Sequence, residues 1–291
     1  MIKSIFTLVI LTMLFSACNN STQTKATTSD AAAVDSSGNG WRFGVALWTF
    51  HTMNFPESLA KVDSAGVDYI EPNTFHSAGP ELKDSMLGQL SYDGIEKVKA
   101  MISGRGLKTE SIYVNGDTTL ASWVRQFELA KQFGVKFITT EPPVSMWNTV
   151  DSLAGVYGIK VAIHEHWKGV SAYWHPDSVL AAIKDHPNFG ACADLGHWPK
   201  SGIEPLEAVK KLSGHIIGVH FKDIAAFNNP ALKDVVAGKG IVNFPGILKE
   251  LKTQQFNGNI YIERDSTEPA GNLPSVIETV NYYNGLMQKL Q

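Results

Sequence analysis

Short apolar runs rich in valine, isoleucine and phenylalanine alternate with longer amphipathic segments from Trp41 to the end of the chain. Such runs are typical of strands that are buried on both faces of a parallel sheet. The pattern predicts eight strands, at Phe43–Trp48, Val67–Glu71, Lys108–Tyr113, Lys136–Thr140, Lys160–His164, Phe189–Asp194, His215–His220 and Asn259–Glu263.

A helix is predicted after each strand, and most of these helices begin near a proline or end before a glycine. They are predicted at Glu57–Ala65, Tyr92–Ser103, Leu120–Phe133, Thr149–Tyr157, Pro176–Lys184, Pro205–Leu212, Pro245–Lys252 and Pro274–Leu290. Alternating strands and helices imply a parallel sheet with right-handed crossovers. Residues 41–291 are close to the roughly 250 residues of an eight-fold barrel. We therefore predict an α/β fold, a single (β/α)8 TIM barrel over residues 41–291. The alternative is an open doubly wound sheet, but its usual glycine-rich first turn has no counterpart in Trp48–Thr52.

The first 40 residues differ in composition from the rest of the chain. A short basic start precedes the apolar stretch Ile5–Phe15, which has the length of a signal-peptide core. Small residues before Cys18 resemble a bacterial lipoprotein signal, so we predict a signal peptide over residues 1–17. Residues 18–40 are polar and read as a flexible tether. This predicts an exported protein, lipid-anchored at Cys18 to the cell envelope (periplasm or outer membrane), with no other membrane contact. The alternative is a plain secretory signal with Cys18 as a passenger.

The overall composition excludes some partners. The chain is 44% hydrophobic and 18% charged, with a net charge of -3, which gives no electrostatic reason to expect nucleic acid. Only two cysteines occur, so no disulfide framework is expected. Cys192 lies within a predicted strand and is expected to be a small buried residue.

Five of the apolar runs end in a carboxylate or a histidine. These residues are Glu141, His164, Asp194, His220 and Glu263, and successive members lie 23, 30, 26 and 43 residues apart. If their strands belong to one barrel, the five side chains converge at the rim where barrel active sites lie. Convergent oxygen and nitrogen ligands predict a divalent metal site, suited to Mn, Co, Fe or Zn and less to Mg.

Three of these residues also have a purely structural interpretation. Asp194 could cap a following helix, but the residues after it place the predicted helix later, which makes capping unlikely. Glu263 could form a surface ion pair with Arg264, although a carboxylate after buried residues is costly unless it is paired or bound to metal. Glu141 could simply begin a rigid loop.

Further polar residues accompany the rim. His166 lies two residues after His164 and points to the same face, so one histidine could serve a metal and the other the substrate. Lys222 could bind an anionic oxygen of the substrate, and Asp223 could orient that lysine. Glu71 ends the second strand and is predicted to bind a substrate hydroxyl.

Five of the seven tryptophans follow predicted strands, namely Trp48, Trp147, Trp167, Trp174 and Trp198. Indole faces suit the C–H faces of sugars, although each tryptophan alone could equally pack under a loop. We predict that Trp48, Trp167 and Trp198 contact a small sugar substrate.

Several motifs together resemble the xylose isomerase-like barrel superfamily, which includes sugar-phosphate isomerases and epimerases, inosose dehydratases and endonuclease IV. They are Gly66–Glu71, Asp194–His197, His220–Asp223, Gly238–Phe244 and Tyr261–Glu263. The resemblance implies a divalent metal held by an acid on the fifth strand and by Asp194, His220 and Glu263. The chain departs from the epimerases by having His164 where they have glutamate, and Glu141 could supply the missing carboxylate. Histidines at this position look more like the inosose dehydratases and 3-keto-glycoside lyases.

The resemblance implies sugar chemistry through an enediolate. Glu263 or Glu141 is expected to remove the proton next to a carbonyl, and His197 or His166 to move a proton between oxygens. A metal and Lys222 would stabilise the negative charge. We expect an isomerase or epimerase acting on a sugar or keto-sugar. The alternatives are a metal-dependent lyase or dehydratase of a keto-sugar and a non-catalytic sugar-binding lipoprotein. A phosphodiesterase is disfavoured, since Glu71 and Tyr113 stand where it would need histidines.

Overall fold

A computed structural model describes residues 40–290, which form a ring of parallel strands surrounded by helices. In chain order the strands are β1 (Arg42–Ala46), β2 (Tyr69–Glu71), β3 (Lys108–Thr109), β4 (Ser111–Tyr113), β5 (Phe137–Thr140), β6 (Lys160–Ile163), β7 (Phe189–Asp194), β8 (Ile216–Phe221), β9 (Asp223–Ile224), β10 (Asp234–Val235) and β11 (Asn259–Ile262). All except β9 and β10 belong to one parallel sheet, and those two form a short antiparallel pair. The predicted α/β barrel is confirmed.

The barrel closes through a strand that is broken at Glu110. β3 pairs with β2 and β4 pairs with β5, so the single predicted strand Lys108–Tyr113 serves its two neighbours in two pieces. The Glu110 carboxylate forms ion pairs with Arg42 at 2.7 Å and with Lys136 at 2.6 Å. The two ion pairs hold Glu110, where the strand is broken, beside the first residues of β1 and β5.

The helices cover the outside of the barrel. They are α1 (Phe55–Ala65), α2 (Tyr92–Ser103), α3 (Leu120–Phe133), α4 (Trp147–Tyr157), α5 (Pro176–Ile183), α6 (His197–Lys200), α7 (Pro205–Lys211), α8 (Phe244–Thr253) and α9 (Leu273–Leu290). α1 shows why the predicted ends were close: Asn54 and Glu57 form a capping box, and Gly66 ends the helix with φ of 72°. Among the α-helices of residues 40–290, α6 alone was not predicted from the sequence.

Two apolar layers fill the space around the strands. The larger layer lies between strands and helices, and a smaller cluster contains Phe137, Cys192 and Tyr261. The Tyr261 hydroxyl is 2.9 Å from Ser111 Oγ, which satisfies both buried hydroxyls. Cys192 is buried as expected.

The signal peptide predicted over residues 1–17, and Cys18 with almost all of the predicted tether, lie outside the described residues. Within residues 40–290, no helix is both long and apolar enough to cross a membrane. Export and lipid anchoring therefore stay predictions.

Candidate active site

Four buried side chains meet at the carboxyl ends of four strands. His164 follows β6, Asp194 ends β7, His220 lies near the end of β8 and Glu263 follows β11. Each residue offers one ligand atom, and these four atoms all lie within 4.8 Å of one another. The contacts between the residues identify the atoms as His164 Nε2, Asp194 Oδ2, His220 Nδ1 and Glu263 Oε2. Parallel strands bring these carboxyl ends to one rim, which is why residues remote in sequence become neighbours.

The same four atoms form no hydrogen bond with any group in residues 40–290. His220 Nδ1 lies 2.6 Å from Glu263 Oε2, and His164 Nε2 lies 3.4 Å from Asp194 Oδ2, yet neither contact has hydrogen-bond geometry. Asp194 Oδ2 and Glu263 Oε2 each form an ion pair with the Lys222 ammonium, but none of the four atoms has a hydrogen bond within the described residues. Buried polar atoms without a hydrogen bond are costly, and one shared cation would satisfy all four. Two imidazole nitrogens and two carboxylate oxygens are a ligand set that divalent transition metals accept. The residues therefore fit a divalent metal.

Each histidine of this cluster has a carboxylate on its other nitrogen. Glu71 Oε2 lies 2.7 Å from His220 Nε2, and Thr139 Oγ1 donates to Glu71 Oε1 at 2.5 Å. Glu141 Oε1 lies 3.2 Å from His164 Nδ1. Such carboxylates orient the imidazole and favour the tautomer that leaves the facing nitrogen free for a metal. Glu71 lines the cavity, but its two oxygens already have these protein partners.

A short helix, α6, begins sooner after Asp194 than predicted; its N-cap residue is Gly196, and Asp194 contacts the backbone where it begins. Asp194 Oδ1 accepts the backbone N–H groups of Gly196 at 2.9 Å and His197 at 3.0 Å, where α6 begins. The backbone N–H of Asp194 donates to Glu165 Oε1 at 2.7 Å. Burial, reinforced by the charge of Asp194, raises the pKa of Glu165 well above its usual range. One Asp194 oxygen is thus used structurally, and Oδ2 faces the cluster.

The Lys222 ammonium lies behind the cluster and is fully buried. Its Nζ is 3.1 Å from Asp194 Oδ2, 3.1 Å from Glu263 Oε2 and 2.9 Å from Asp265 Oδ1. His197 Nε2 also lies 3.1 Å from it. Burial raises the pKa of the Glu263 carboxyl, but the charges of His220 and Lys222 outweigh burial and lower this pKa to about 2. Lys222 and His197, predicted to be catalytic, do not line the cavity, and their contacts make them supports of the carboxylates.

Asp223 does not orient Lys222 as expected. Its carboxylate instead accepts four backbone N–H groups of the segment that follows it, those of Ile224, Gly238, Gly240 and Val242. Arg264 likewise does not pair with Glu263; its guanidinium contacts Asp234 and, at 3.0 Å, Glu268. Both charged groups therefore hold loops beside the site.

Glu141 also contacts a second histidine. Its Oε1 forms a short hydrogen bond with His166 Nδ1, and its Oε2 accepts from Ser171 Oγ at 2.6 Å. Burial raises the pKa of the Glu141 carboxyl, but hydrogen bonds from His164 and His166 outweigh burial and hold this pKa well below its usual range. His166 lines the cavity and Glu141 does not. His164 Nε2 faces the ligand atoms of Asp194, His220 and Glu263, whereas Glu141 lies on the far side of His164 and forms a second possible ligand group with His164 and His166. This geometry favours His164 over Glu141 as the fourth ligand.

A cavity of about 710 Å³ opens above the cluster, with His164, His166 and Glu263 in its lining. Trp48 and Trp167 also line it. Trp198 does not: it is fully buried in the layer between strands and helices, because α6 begins directly after the cluster and turns this indole inward. The prediction that Trp198 contacts substrate does not fit this position.

Several cavity residues escaped the sequence analysis. Asp265 lies two residues after Glu263, a spacing that could have identified it. Lys200 lies over the Trp167 ring, with Nζ 4.3 Å from its centroid, and 3.7 Å from Asp265 Oδ2. Tyr113 lines the cavity with its ring edge-on to His164. No motif distinguishes Lys200 or Tyr113 in the sequence.

An α/β barrel with two histidines and two carboxylates at its carboxyl end defines the class of this protein. The chain matches the model of the xylose isomerase-like TIM barrel family over residues 59–281 and belongs to that family. This confirms the predicted family.

Individual proteins resemble the chain to different extents. An inosose dehydratase of Clostridium botulinum (strain Alaska E43 / Type E3) is 27% identical over 150 residues, covering 46% of this chain and 48% of the dehydratase, so the match spans about half of that relative. The crystal structure of an uncharacterized protein from Parabacteroides distasonis ATCC 8503 is 31% identical, with a TM-score of 0.67 over 87% of this chain and 100% of that chain. The IOLI protein with a bound zinc atom shares the fold, with a TM-score of 0.70 at 18% identity over 86% and 99% of the two chains.

Proposed function

We propose that this protein is a metal-dependent lyase that removes the proton next to the carbonyl of a keto-sugar and expels the substituent from the following carbon. The asymmetry of the ligand cluster carries this proposal. His164 stands with Asp194, His220 and Glu263, where the related epimerases are expected to have a glutamate opposite the last of these. A centre without that second glutamate lacks a symmetric pair of bases, which favours proton transfer on one face of the substrate. The inosose dehydratase relative is consistent with this chemistry.

His166 is the group best placed to move the proton. It lines the cavity, and Glu141 holds its Nδ1, which leaves Nε2 as the basic nitrogen. A buried carboxylate behind a histidine fixes the tautomer and stabilises the imidazolium that forms. Glu141 is thus a positioning residue in this proposal.

The reaction balances without an oxidant. His164, Asp194, His220 and Glu263 would hold the metal, which when bound supplies a Lewis acid that acidifies the proton next to the carbonyl. His166 accepts that proton, and the C–H electron pair becomes the new carbon–carbon double bond. The C–O bond on the neighbouring carbon breaks with its electron pair on oxygen. His166 then returns the proton to the departing oxygen.

The second candidate is the isomerase or epimerase expected from the sequence. The observation that favours it is that Glu263 lines the cavity together with His166, so a second group could reprotonate the intermediate. The third candidate, a sugar-binding protein without turnover, would not need the metal-ligand cluster. We also propose export and lipid anchoring at Cys18, on the composition of residues 1–40.

Proton NMR in D2O distinguishes these functions. Protein reconstituted with Zn, Mn, Co, Fe or Mg is incubated with an inosose and with keto-glucosides. The lyase produces an unsaturated ketone and a released hydroxyl compound. Deuterium in recovered substrate or in an epimer, without elimination, would overturn the lyase in favour of the isomerase. Sugar binding without exchange, elimination or stoichiometric metal would leave the sugar-binding protein.

A further inference from the structure

We infer that Lys200 is a further catalytic residue, whose ammonium binds the oxygen that leaves and stabilises the negative charge on it while the C–O bond breaks. This inference rests on the proposed lyase function. It assigns to Lys200 a task that proton transfer through His166 does not perform, because that proton reaches the oxygen only after the bond has broken.

Lys200 is buried and yet lines the cavity. Its exposed fraction is 6%, whereas Lys233, the second lysine of the lining, is exposed. A lysine is rarely buried unless its charge has a partner. The contacts of the Lys200 ammonium therefore indicate what it binds.

Two neighbours stabilise the positive charge of Lys200 without occupying its hydrogen-bond donors. Nζ lies 4.3 Å from the centroid of the Trp167 ring and 3.7 Å from Asp265 Oδ2. The face of an indole attracts a cation without a directed hydrogen bond, and 3.7 Å is too long for one. Asp265 is closer to Lys222, at 2.9 Å. An ammonium has three donors, and neither contact uses one, so an oxygen in the cavity can accept from Lys200.

The backbone on both sides of Lys200 is fixed. Lys200 is the last residue of α6. Before it, the Pro199 carbonyl accepts the N–H of Asn228 at 2.9 Å, and after it, Ser201 Oγ accepts the N–H of Lys168 at 2.8 Å. A donor that is held in place before the reaction needs no reorganisation when charge develops beside it.

Lys200 and His166 lie beside the same aromatic ring. Nζ of Lys200 is over the Trp167 indole, and the centroid of an indole ring of Trp167 is 5.9 Å from that of His166. All three residues line the cavity. The oxygen that takes its proton from His166 is therefore on the side of the cavity where Lys200 lies.

The two buried lysines of the site have different neighbours. Lys222 contacts the ligand cluster, 3.1 Å from both Asp194 Oδ2 and Glu263 Oε2, and does not line the cavity. Lys200 forms its ion pair with Asp265 and does line it. A substrate whose carbonyl lies at the ligand cluster thus presents to Lys200 an oxygen farther along its carbon chain, which is where the departing oxygen is attached.

The ammonium lowers the barrier of the step and leaves its balance unchanged. The electron pair of the broken C–O bond stays on oxygen, and Lys200 donates a hydrogen bond to that oxygen while it keeps its own proton. His166 then returns the proton, as proposed above. Burial lowers the pKa of the Lys200 ammonium, although the charge of Asp265 opposes this, and a more acidic ammonium is a stronger donor. Removing one such donor typically lowers kcat by about 100–1,000-fold.

Two keto-glucosides that differ only in the leaving oxygen test this role. One releases methanol, and the other releases 4-nitrophenol, whose anion spreads its charge over the ring and needs little stabilisation. In the metal-loaded full chain, we expect Lys200→Met to lower kcat for methanol release about 100–1,000-fold and for 4-nitrophenol release less than about fivefold. Methionine keeps nearly the length of the side chain, so the wall of the cavity keeps its shape.

Deuterium exchange identifies the step that is slowed. His166 and the ligand cluster are intact in Lys200→Met, so the proton is still removed while the C–O bond breaks slowly. In D2O, proton NMR should therefore find deuterium in the recovered methyl substrate with the variant and not with wild type. Lys200→Arg keeps the charge and should stay within about tenfold of wild type for methanol release. Lys168→Met, at an exposed lysine 5.1 Å from the Trp174 centroid and not in the cavity lining, is the matched control and should behave as wild type.

An equal loss for both leaving groups, or unchanged turnover of both, would overturn the role of Lys200 and leave the lyase standing. If circular dichroism shows that Lys200→Met is unfolded, Lys200→Gln, which keeps a polar donor without the charge, decides by the same comparison of leaving groups. Wild-type protein that exchanges deuterium but releases neither methanol nor 4-nitrophenol would overturn the lyase, and the role of Lys200 with it. The first failure is seen in the variants and the second in wild type, so the two are distinguishable.

Discussion

Replacing Glu141 with glutamine tests the link between the two histidines. Glutamine keeps the shape of the side chain, and its carbonyl oxygen can still accept from His164 and His166. Its amide nitrogen would face Ser171 Oγ, which now donates to Glu141 at 2.6 Å. Glu141→Gln therefore removes the negative charge while it leaves the geometry in place.

The size of the effect follows from what this charge supports. Hydrogen bonds to an ionised carboxylate are roughly twice as strong as neutral ones. Losing the carboxylate partner of a metal-binding histidine typically costs about 10–100-fold in metal affinity or activity, or about 1.4–2.8 kcal/mol. Glu141 contacts His164 and the proposed proton carrier His166 with the same oxygen, Oε1. We expect metal affinity to fall about 10–100-fold and kcat/KM to fall further, by about 100–10,000-fold.

Two assays separate the effects. Competition with a chromophoric chelator measures metal affinity without any substrate, and elimination at saturating metal measures kcat/KM. Ser171→Ala is the matched control because it removes one hydrogen bond to Glu141 and leaves both histidine contacts, so it should cost less than about tenfold. Turnover and metal affinity within about twofold of wild type in Glu141→Gln would refute the positioning role.

Three further predictions concern the cluster and the core. His220→Ala and Glu263→Gln should each reduce bound metal to well below one ion per chain, as measured by plasma mass spectrometry after dialysis. Glu263→Gln should also abolish turnover while the circular dichroism spectrum stays unchanged. Trp198→Ala should lower the free energy of unfolding in urea by about 3–5 kcal/mol, because this indole is fully buried, and Trp48→Ala by less than about 1 kcal/mol; equal losses would contradict the packing. Burial lowers the pKa of the His164 imidazole, but the neighbouring carboxylates of Asp194 and Glu141 outweigh burial and raise this pKa to about 8. Because this folded-state pKa exceeds the unfolded value of about 6.5, the metal-free protein should lose about 2 kcal/mol of stability between about pH 6.5 and pH 8. The urea transition of His164→Gln should lack that loss.

The alternation of apolar runs and helices was sufficient to predict the barrel. Strand and helix ends agree closely because local signals set them, as the capping box of Asn54 and Glu57 and the left-handed Gly66 show. The break at Glu110 was not predicted, since it depends on two neighbouring strands that are remote in sequence. α6 was missed because it has four residues and no side-chain N-cap in the sequence; the backbone where it begins is instead held by an Asp194 oxygen at the end of the preceding strand.

The positions of strand ends also predicted which residues would meet at the rim. Side-chain direction was not predictable from the same pattern. Whether Glu141 or His164 faced the other ligands depends on where the chain turns after each strand, and both follow apolar runs equally well. Trp198 looked like a rim residue in sequence, yet the immediate start of α6 turns it into the core.

The placement of negative charge gives a physical reason for chemistry on one face. A glutamate in the position of His164 would put a third carboxylate among the cluster residues. In this chain the corresponding charge lies on Glu141, behind the imidazoles of His164 and His166 and away from the cavity. There it is not directed at the negative charge that develops on the substrate, and it fixes the orientation and tautomer of the histidine proposed to take the proton. In the proposed lyase, His164 supported by Glu141 stands where the related epimerases are expected to have a second substrate-facing carboxylate, an arrangement that suits elimination better than symmetric proton exchange.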